Sequence, residues 1–248
     1  MGRAFEFRKA RKFKRWAAMS KAFTKIGKEI SMAVKEGGPS PESNLRLRMA
    51  IQNGKAANMP KDNIARAIKK ASEKDFSGFK EIVFEGYAPH GVAVLVEAAT
   101  DNNNRTVANV RSYFNKTNGS LGTSGSVEFL FERKCFFQIK RTDEIDLEEL
   151  ELELIDAGVE ELFAEDGDPD AENEAAKEQT IMIYGLFPNF GNLQKALDDM
   201  NLEVITSGFE RLPMDMKKLT EEQEEEVDKL IQKLEDDDDV LAVYHNMG

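Results

Sequence analysis

Sulfur and imidazole chemistry are almost missing from this chain. Cys135 is the only cysteine among 248 residues. That excludes an internal disulfide and suits a reducing, cytoplasmic setting. With one cysteine and two histidines, His90 and His245, no zinc cluster of the usual spacing can be written. No apolar run approaches the ~20 residues that cross a bilayer, so no membrane association is expected. The basic stretch from Met1 to Trp16 lacks the apolar core of a signal peptide. The glycosylation-like tripeptides at Asn104, Asn115 and Asn118 are discounted for the same reason. A nucleotide cradle is missing too. Gly119, Gly122 and Gly125 lie between a helix and a strand, whereas a phosphate loop follows a strand, opens a helix and, in its commonest form, carries a lysine. Gly122-Thr123-Ser124-Gly125 is not a nucleophile elbow. Without a His/Cys/Asp constellation, the reading is a protein that is not an enzyme and uses no cofactor or metal.

What is present is charge, unevenly placed. The net charge is −12. Residues 1–80 hold 20 Lys and Arg against 7 Asp and Glu, a net of +13, and residues 81–248 hold 14 against 39, a net of −25. Such asymmetry predicts a basic part that meets nucleic acid and an acidic part with another task.

The basic part reads as helices. Met19, Phe23, Ile26, Ile30 and Val34 recur at helical spacing, with Lys21, Lys25 and Lys28 together on the opposite face. Gly37-Gly38-Pro39 ends that helix. A second helix is expected over about 41–57. A third begins at Pro60, with Ile64, Ile68 and Ala71 inward and Arg66, Lys69 and Lys70 outward. Strands follow at 79–87 and 92–99, then a helix at about 105–116 capped by Asn104 or Thr106, and a strand at 126–133. From Phe136 the order is strand 136–141, helix 146–157, strand 159–165, strand 179–185, helix 189–200 and strand 203–210. This βαββαβ order is the ferredoxin-like arrangement, with the acidic stretch 165–178 as a hairpin loop. A final helix (about 220–235) and strand (240–245) are expected to return to the sheet begun at Phe79. The fold class is therefore α+β and multidomain: a basic helical bundle over 1–78, a discontinuous α+β domain from 79–134 plus 211–248, and an acidic ferredoxin-like domain over 135–210.

Three places are candidates for contact. The run 6–16 carries Arg8, Lys9, Arg11, Lys12, Lys14 and Arg15 interleaved with aromatics, a pairing of phosphate contact and base stacking. Lys21, Lys25 and Lys28 offer a cationic helix face. The string "TDNNNRT" at 100–106 serves as a strand-to-helix turn, but its amides also present donor and acceptor together, which suits base edges. The Gly119–Gly125 loop is a flexible, donor-rich alternative contact, and Asp236–Asp239 reads as a solvated helix end.

Four strings together resemble one family: "FTKIGKEISMAVKEGG" (23–38), "KAANMPKDNIARAIKKA" (55–71), "FEGYAPHGVAVLVEAATDNNNRTVANVRSYFNK" (84–116) and "GSLGTSGSVEFLFERK" (119–134). The chain is similar to the YebC family, to which a mitochondrial translational activator of cytochrome c oxidase is related. The resemblance implies a helical domain and two α+β domains, the middle one receiving the C-terminal segment. It implies a probable transcriptional regulator that binds DNA, or a translation factor that contacts ribosomal RNA and relieves stalls at proline-rich stretches. No enzymatic activity is implied. It strengthens a role for Asn102, Arg105 and Thr106 within a string that also contains Arg111. The family's usual "HSKWANIKHRK"-like start is replaced here by "GRAFEFRKARKFKRW", so any contact by that tail carries over as charge only. The expected partner is nucleic acid, promoter DNA or the RNA of the ribosome, bound by a monomer. The alternative is an adaptor whose acidic domain binds a basic protein.

Overall fold

The computed structural model describes residues 21–73, 78–165 and 179–248. The cationic run at 8–15 and most of the acidic stretch 165–178 lie outside the described residues. The chain forms two compact units. One comprises residues 1–130 and 215–248, and the other comprises 131–214.

The first unit opens with α1 (residues 21–37), α2 (Leu45–Ala56) and α3 (Lys61–Ser72). Ile26, Ile30, Val34, Leu47 and Ile64 are buried together. Gly38, at φ 85°, ends α1 in the left-handed conformation a β-carbon disfavours. Asn44 then starts α2. Its side-chain oxygen accepts from Leu47 N at 3.0 Å, and its amide donates to Ala33 O and Gly38 O at 2.7 and 2.8 Å. One buried side chain thus satisfies the end of one helix and the start of the next.

The sheet of this unit joins β1 (Lys80–Tyr87), β2 (Ala93–Thr100), β3 (Ser120–Leu121) and β8 (Val240–His245) in the order β3-β1-β2-β8. The final strand pairs antiparallel with β2, Val96 opposite Val243. It does return to the sheet begun near Phe79. α4 (Asn103–Lys116) and α7 (Glu221–Glu235) bury Val110, Phe114, Leu230 and Leu234 against Phe84, Val94 and Val96. β2 is buried along nearly its whole length, which explains the apolar run Ala93–Val96 that opens it.

The second unit runs β4 (Phe131–Lys140), α5 (Leu147–Leu154), β5 (Val159–Glu165), β6 (Thr180–Leu186), α6 (Phe190–Asp199) and β7 (Val204–Pro213). The sheet order is β5-β6-β4-β7 with every neighbouring pair antiparallel, which is the ferredoxin-like topology.

Two boundaries differ from expectation. Residues 126–133 are not a strand of the first sheet. A short 3-10 turn at Glu128–Leu130 is followed by one strand from Phe131 to Lys140 in the second unit, paired with β7 from Phe131↔Pro213 onward. Glu132, Arg133 and Lys134 look like an interruption in sequence, but two of the three sit exposed and β4 continues through them. Helix α4 begins earlier than expected, because Asn102 rather than Asn104 or Thr106 is the cap and its side chain accepts from Arg105 N at 3.2 Å.

Candidate nucleic-acid interface

The string "TDNNNRT" closes β2 and opens α4. Thr106 is fully buried, and its hydroxyl reaches Thr100 Oγ1 and Asp239 Oδ2, each at 2.8 Å. Arg105 donates to Asp239 Oδ2 at 2.7 Å and to Asp101 Oδ1 at 3.0 Å. These two hydrogen bonds hold its pKa above the ordinary guanidinium value. From the other side Lys28, 8% exposed, donates to Asp239 Oδ1, Asp238 O and Ala99 O at 2.7, 2.8 and 2.9 Å. An ammonium has three protons, and all three are used. Burial alone would raise the pKa of Asp239. The Lys28, Arg105 and Thr106 hydrogen bonds outweigh it and lower the carboxyl to about 2.

Asp237 repeats the device one step along. It is buried, accepts from Asn109 Nδ2 at 3.2 Å and Tyr113 OH at 2.9 Å, and turns its other oxygen to Asp239 N at 2.9 Å. Burial, then the Asp237 hydrogen bond, raises Tyr113 to about 12. Asp236 and Asp238 are exposed. The four-aspartate run is therefore not a solvated cap. Its alternate members are buried beneath α1 and the start of α4.

This corrects the expected cationic face of α1. Lys28 is buried in the ion pair just described. Lys21 pairs with Asp236 at 2.6 Å, and Lys25 reaches Glu235 O and Leu241 O at 3.4 and 3.5 Å, its pKa lowered chiefly by burial. The periodicity is as read, but the face opposite the apolar stripe meets the end of α7 and the start of β8. Arg105 and Thr106 are also engaged within the protein, and Asn102 serves as a cap. The glycine loop is tied down as well. Glu85, 3% exposed, accepts from the backbone N of Gly125, Val127 and Glu128 at 2.6, 2.8 and 2.8 Å, so these donors are not offered outward. The signal for Glu85 was a carboxylate directly after the apolar run Ile82-Val83-Phe84, and that for Asp237 and Asp239 was a charged run leading directly into an apolar strand.

What faces outward is the far side of α4. Asn103, Asn104, Ala108, Arg111, Asn115 and Lys116 are exposed, and a shallow depression runs between Arg111, Asn115 and Lys116. Asn104, Ala108, Arg111 and Asn115 share one helix face, and Lys116 flanks it. Among the described residues no ion pair involves Arg111 or Lys116. Lys61, Arg66 and Lys69 of α3 are exposed in the same way. No group of three metal-binding side chains occurs among the described residues. No described helix is long and apolar enough to cross a membrane.

A family model described as the TACO1/YebC protein N-terminal domain matches residues 3–74, and one described as the TACO1/YebC second and third domain matches residues 79–247. The chain belongs to the TACO1/YebC family. Two relatives match along nearly their whole length. A "probable transcriptional regulatory protein" of Flavobacterium johnsoniae is 62% identical over 247 residues, covering 100% of this chain and 99% of that protein. A protein of the same description from Sulfurimonas denitrificans is 51% identical, with 100% of both chains covered. The crystal structure of a conserved hypothetical protein from Aquifex aeolicus superposes with a TM-score of 0.74 at 38% identity, covering 92% of this chain and 90% of that one.

Proposed function

We propose that this YebC-family chain is a non-enzymatic, cytoplasmic regulator of gene expression that binds nucleic acid through the outer face of α4. One observation carries the reading. The cations nearest the Asp236–Asp239 segment are engaged by the protein's own acids, whereas Arg111 stands exposed with amides from Asn104 and Asn115 on the same face and Lys116 exposed at its flank. Guanidinium and ammonium groups contact phosphates, and amides present paired donors and acceptors to bases. The buried Asp237 and Asp239 networks hold α4 rigidly enough for such a face to be read as a unit. The relatives' shared description, probable transcriptional regulatory protein, supports a regulator. RNA is favoured over a long DNA duplex, because residues 131–214 carry 7 Lys and Arg against 22 Asp and Glu, a net of −15, which opposes wrapping by a polyanion. Domain limits near 78 and 134, a monomeric state and participation of the 8–15 run belong to the same reading.

Crosslinking in cells followed by sequencing of attached DNA and RNA tests it. A narrow peak on ribosomal RNA, lost with Arg111→Glu/Lys116→Glu, is the expected result. Discrete promoter peaks lost with the same variant would keep the face and move its target to DNA. Crosslinks unaffected by the variant would remove α4 from the interface.

A further inference from the structure

Among the described residues of the second unit, helices cover one face of the sheet and leave the other open. On the covered face Phe137 stacks on Phe190 of α6 at 4.8 Å. On the other, Phe136, Tyr184 and Phe163 form a row across β4, β6 and β5. Ring centroids are 6.4 Å apart for the first pair and 6.0 Å for the second, and the Tyr184 and Phe163 planes lie within 14° of parallel. Gly208 makes room for it, since a β-carbon there would meet the Phe136 ring at 3.0 Å. Phe163 is 39% exposed.

Carboxylates surround the row. Glu161 and Glu165 are exposed on β5. Glu210 takes the Tyr184 hydroxyl as a hydrogen-bond partner, and its Oε1 is buried without a partner among the described residues. Burial first, then Glu210, then the charges of Glu165 and Glu161, all raise the Tyr184 pKa. The cation on β4 nearest this row, Lys134, is already paired with Glu132 and Glu160 at 3.2 and 3.1 Å.

Exposed aromatics on the two central strands of such a sheet are a platform on which RNA bases stack in other proteins. Here a phosphate chain would meet carboxylates with no free cation beside them among the described residues. A cationic ligand meets the same groups favourably, over the rings and against the carboxylates. The unit already contains that contact, with the Arg133 guanidinium carbon 3.9 Å from the centre of the Phe187 ring. We propose that this face binds an arginine- and lysine-rich peptide segment of a partner protein, whose cations lie over Phe163 and Tyr184 and pair with Glu161 and Glu165. β5 is an edge strand, so an extended segment can also pair with its backbone.

The test titrates the full-length protein with a fluorescent peptide of alternating Arg and Lys, read by anisotropy. Phe163→Ala should weaken binding about tenfold, Phe163→Tyr should retain it, and Glu161→Gln/Glu165→Gln should weaken it similarly. Glu149→Gln/Glu151→Gln on α5 removes the same charge elsewhere and should change little. Far- and near-UV circular dichroism of each variant confirms folding. Equal weakening by the α5 pair, or no response to Phe163→Ala, would show diffuse charge attraction and overturn the proposal. So would single-stranded RNA binding that is lost with Phe163→Ala while the peptide does not bind.

Discussion

Carboxylates do opposite things in the two units. In the first, Asp239, Asp237 and Glu85 are buried and saturated: every oxygen of Asp239 meets a cation or hydroxyl, and Glu85 holds three backbone N–H groups. In the second, Glu161 and Glu165 stand in the open, and one buried oxygen of Glu210 meets no donor among the described residues. The functional group is the same in both. What differs is how many donors the fold brings within reach. A saturated, buried carboxylate holds structure together, and an exposed one beside aromatic rings is available to a ligand.

Substitutions can break that contrast at its strongest point first. Asp239→Ala leaves Lys28 buried without its counter-ion, and a loss of roughly 3–5 kcal/mol is expected by urea denaturation. Glu85→Ala strips three backbone donors of a charged acceptor, and a loss of about 2–3 kcal/mol is expected by the same measurement. Acid titration sharpens the comparison. The folded pKa of Asp239 near 2 lies below its ordinary 3.8, so its contribution is complete above pH 3.8 and disappears as the pH falls through 2. That contribution is about 2 kcal/mol. Glu29 runs the other way. Burial first, and then Glu81 and Glu97 against the opposing pull of Arg46 and Lys25, raises it from 4.5 to about 7. Stability should therefore fall as the pH rises from 4.5 to 7, and Glu29→Gln should flatten that slope in thermal melts taken across the window. The smallest effect belongs to the exposed face of α4. Arg111→Ala/Lys116→Ala should shift unfolding by less than about 0.5 kcal/mol while weakening RNA binding and reducing its salt dependence.

The fold was readable because periodicity reports burial directly. The apolar stripe of α1, the alternation in β4–β7 and the apolar run of β2 each name a buried face. The βαββαβ order and the return of β8 followed from counting such segments. Function was less readable because a charged face has two uses, and the sequence does not say what lies opposite. Lys21, Lys25 and Lys28 were correctly placed together. Their partners, some 210 residues later, could not be assigned without the topology. "TDNNNRT" shows both outcomes within seven residues: Asn102, Arg105 and Thr106 cap and anchor, while Asn103 and Asn104 remain exposed. The rings of the second unit escaped notice because Phe136, Phe163 and Tyr184 lie on three separate strands and become neighbours only through strand register.

The second unit is an insertion within the first, and this orders the chain's birth. Lys28 and Arg105 emerge from the ribosome long before Asp239, whose contact with Lys28 spans 211 positions. The inserted unit, residues 131–214, is by then fully synthesised and able to fold from its own contacts. The first unit must wait with its edge strand missing and a buried-to-be lysine uncompensated, so a chain cut short after residue 214 lacks both α7 and the anion that closes the lock. Synthesis of residues 215–248 is therefore the event that lets the first unit reach its final form.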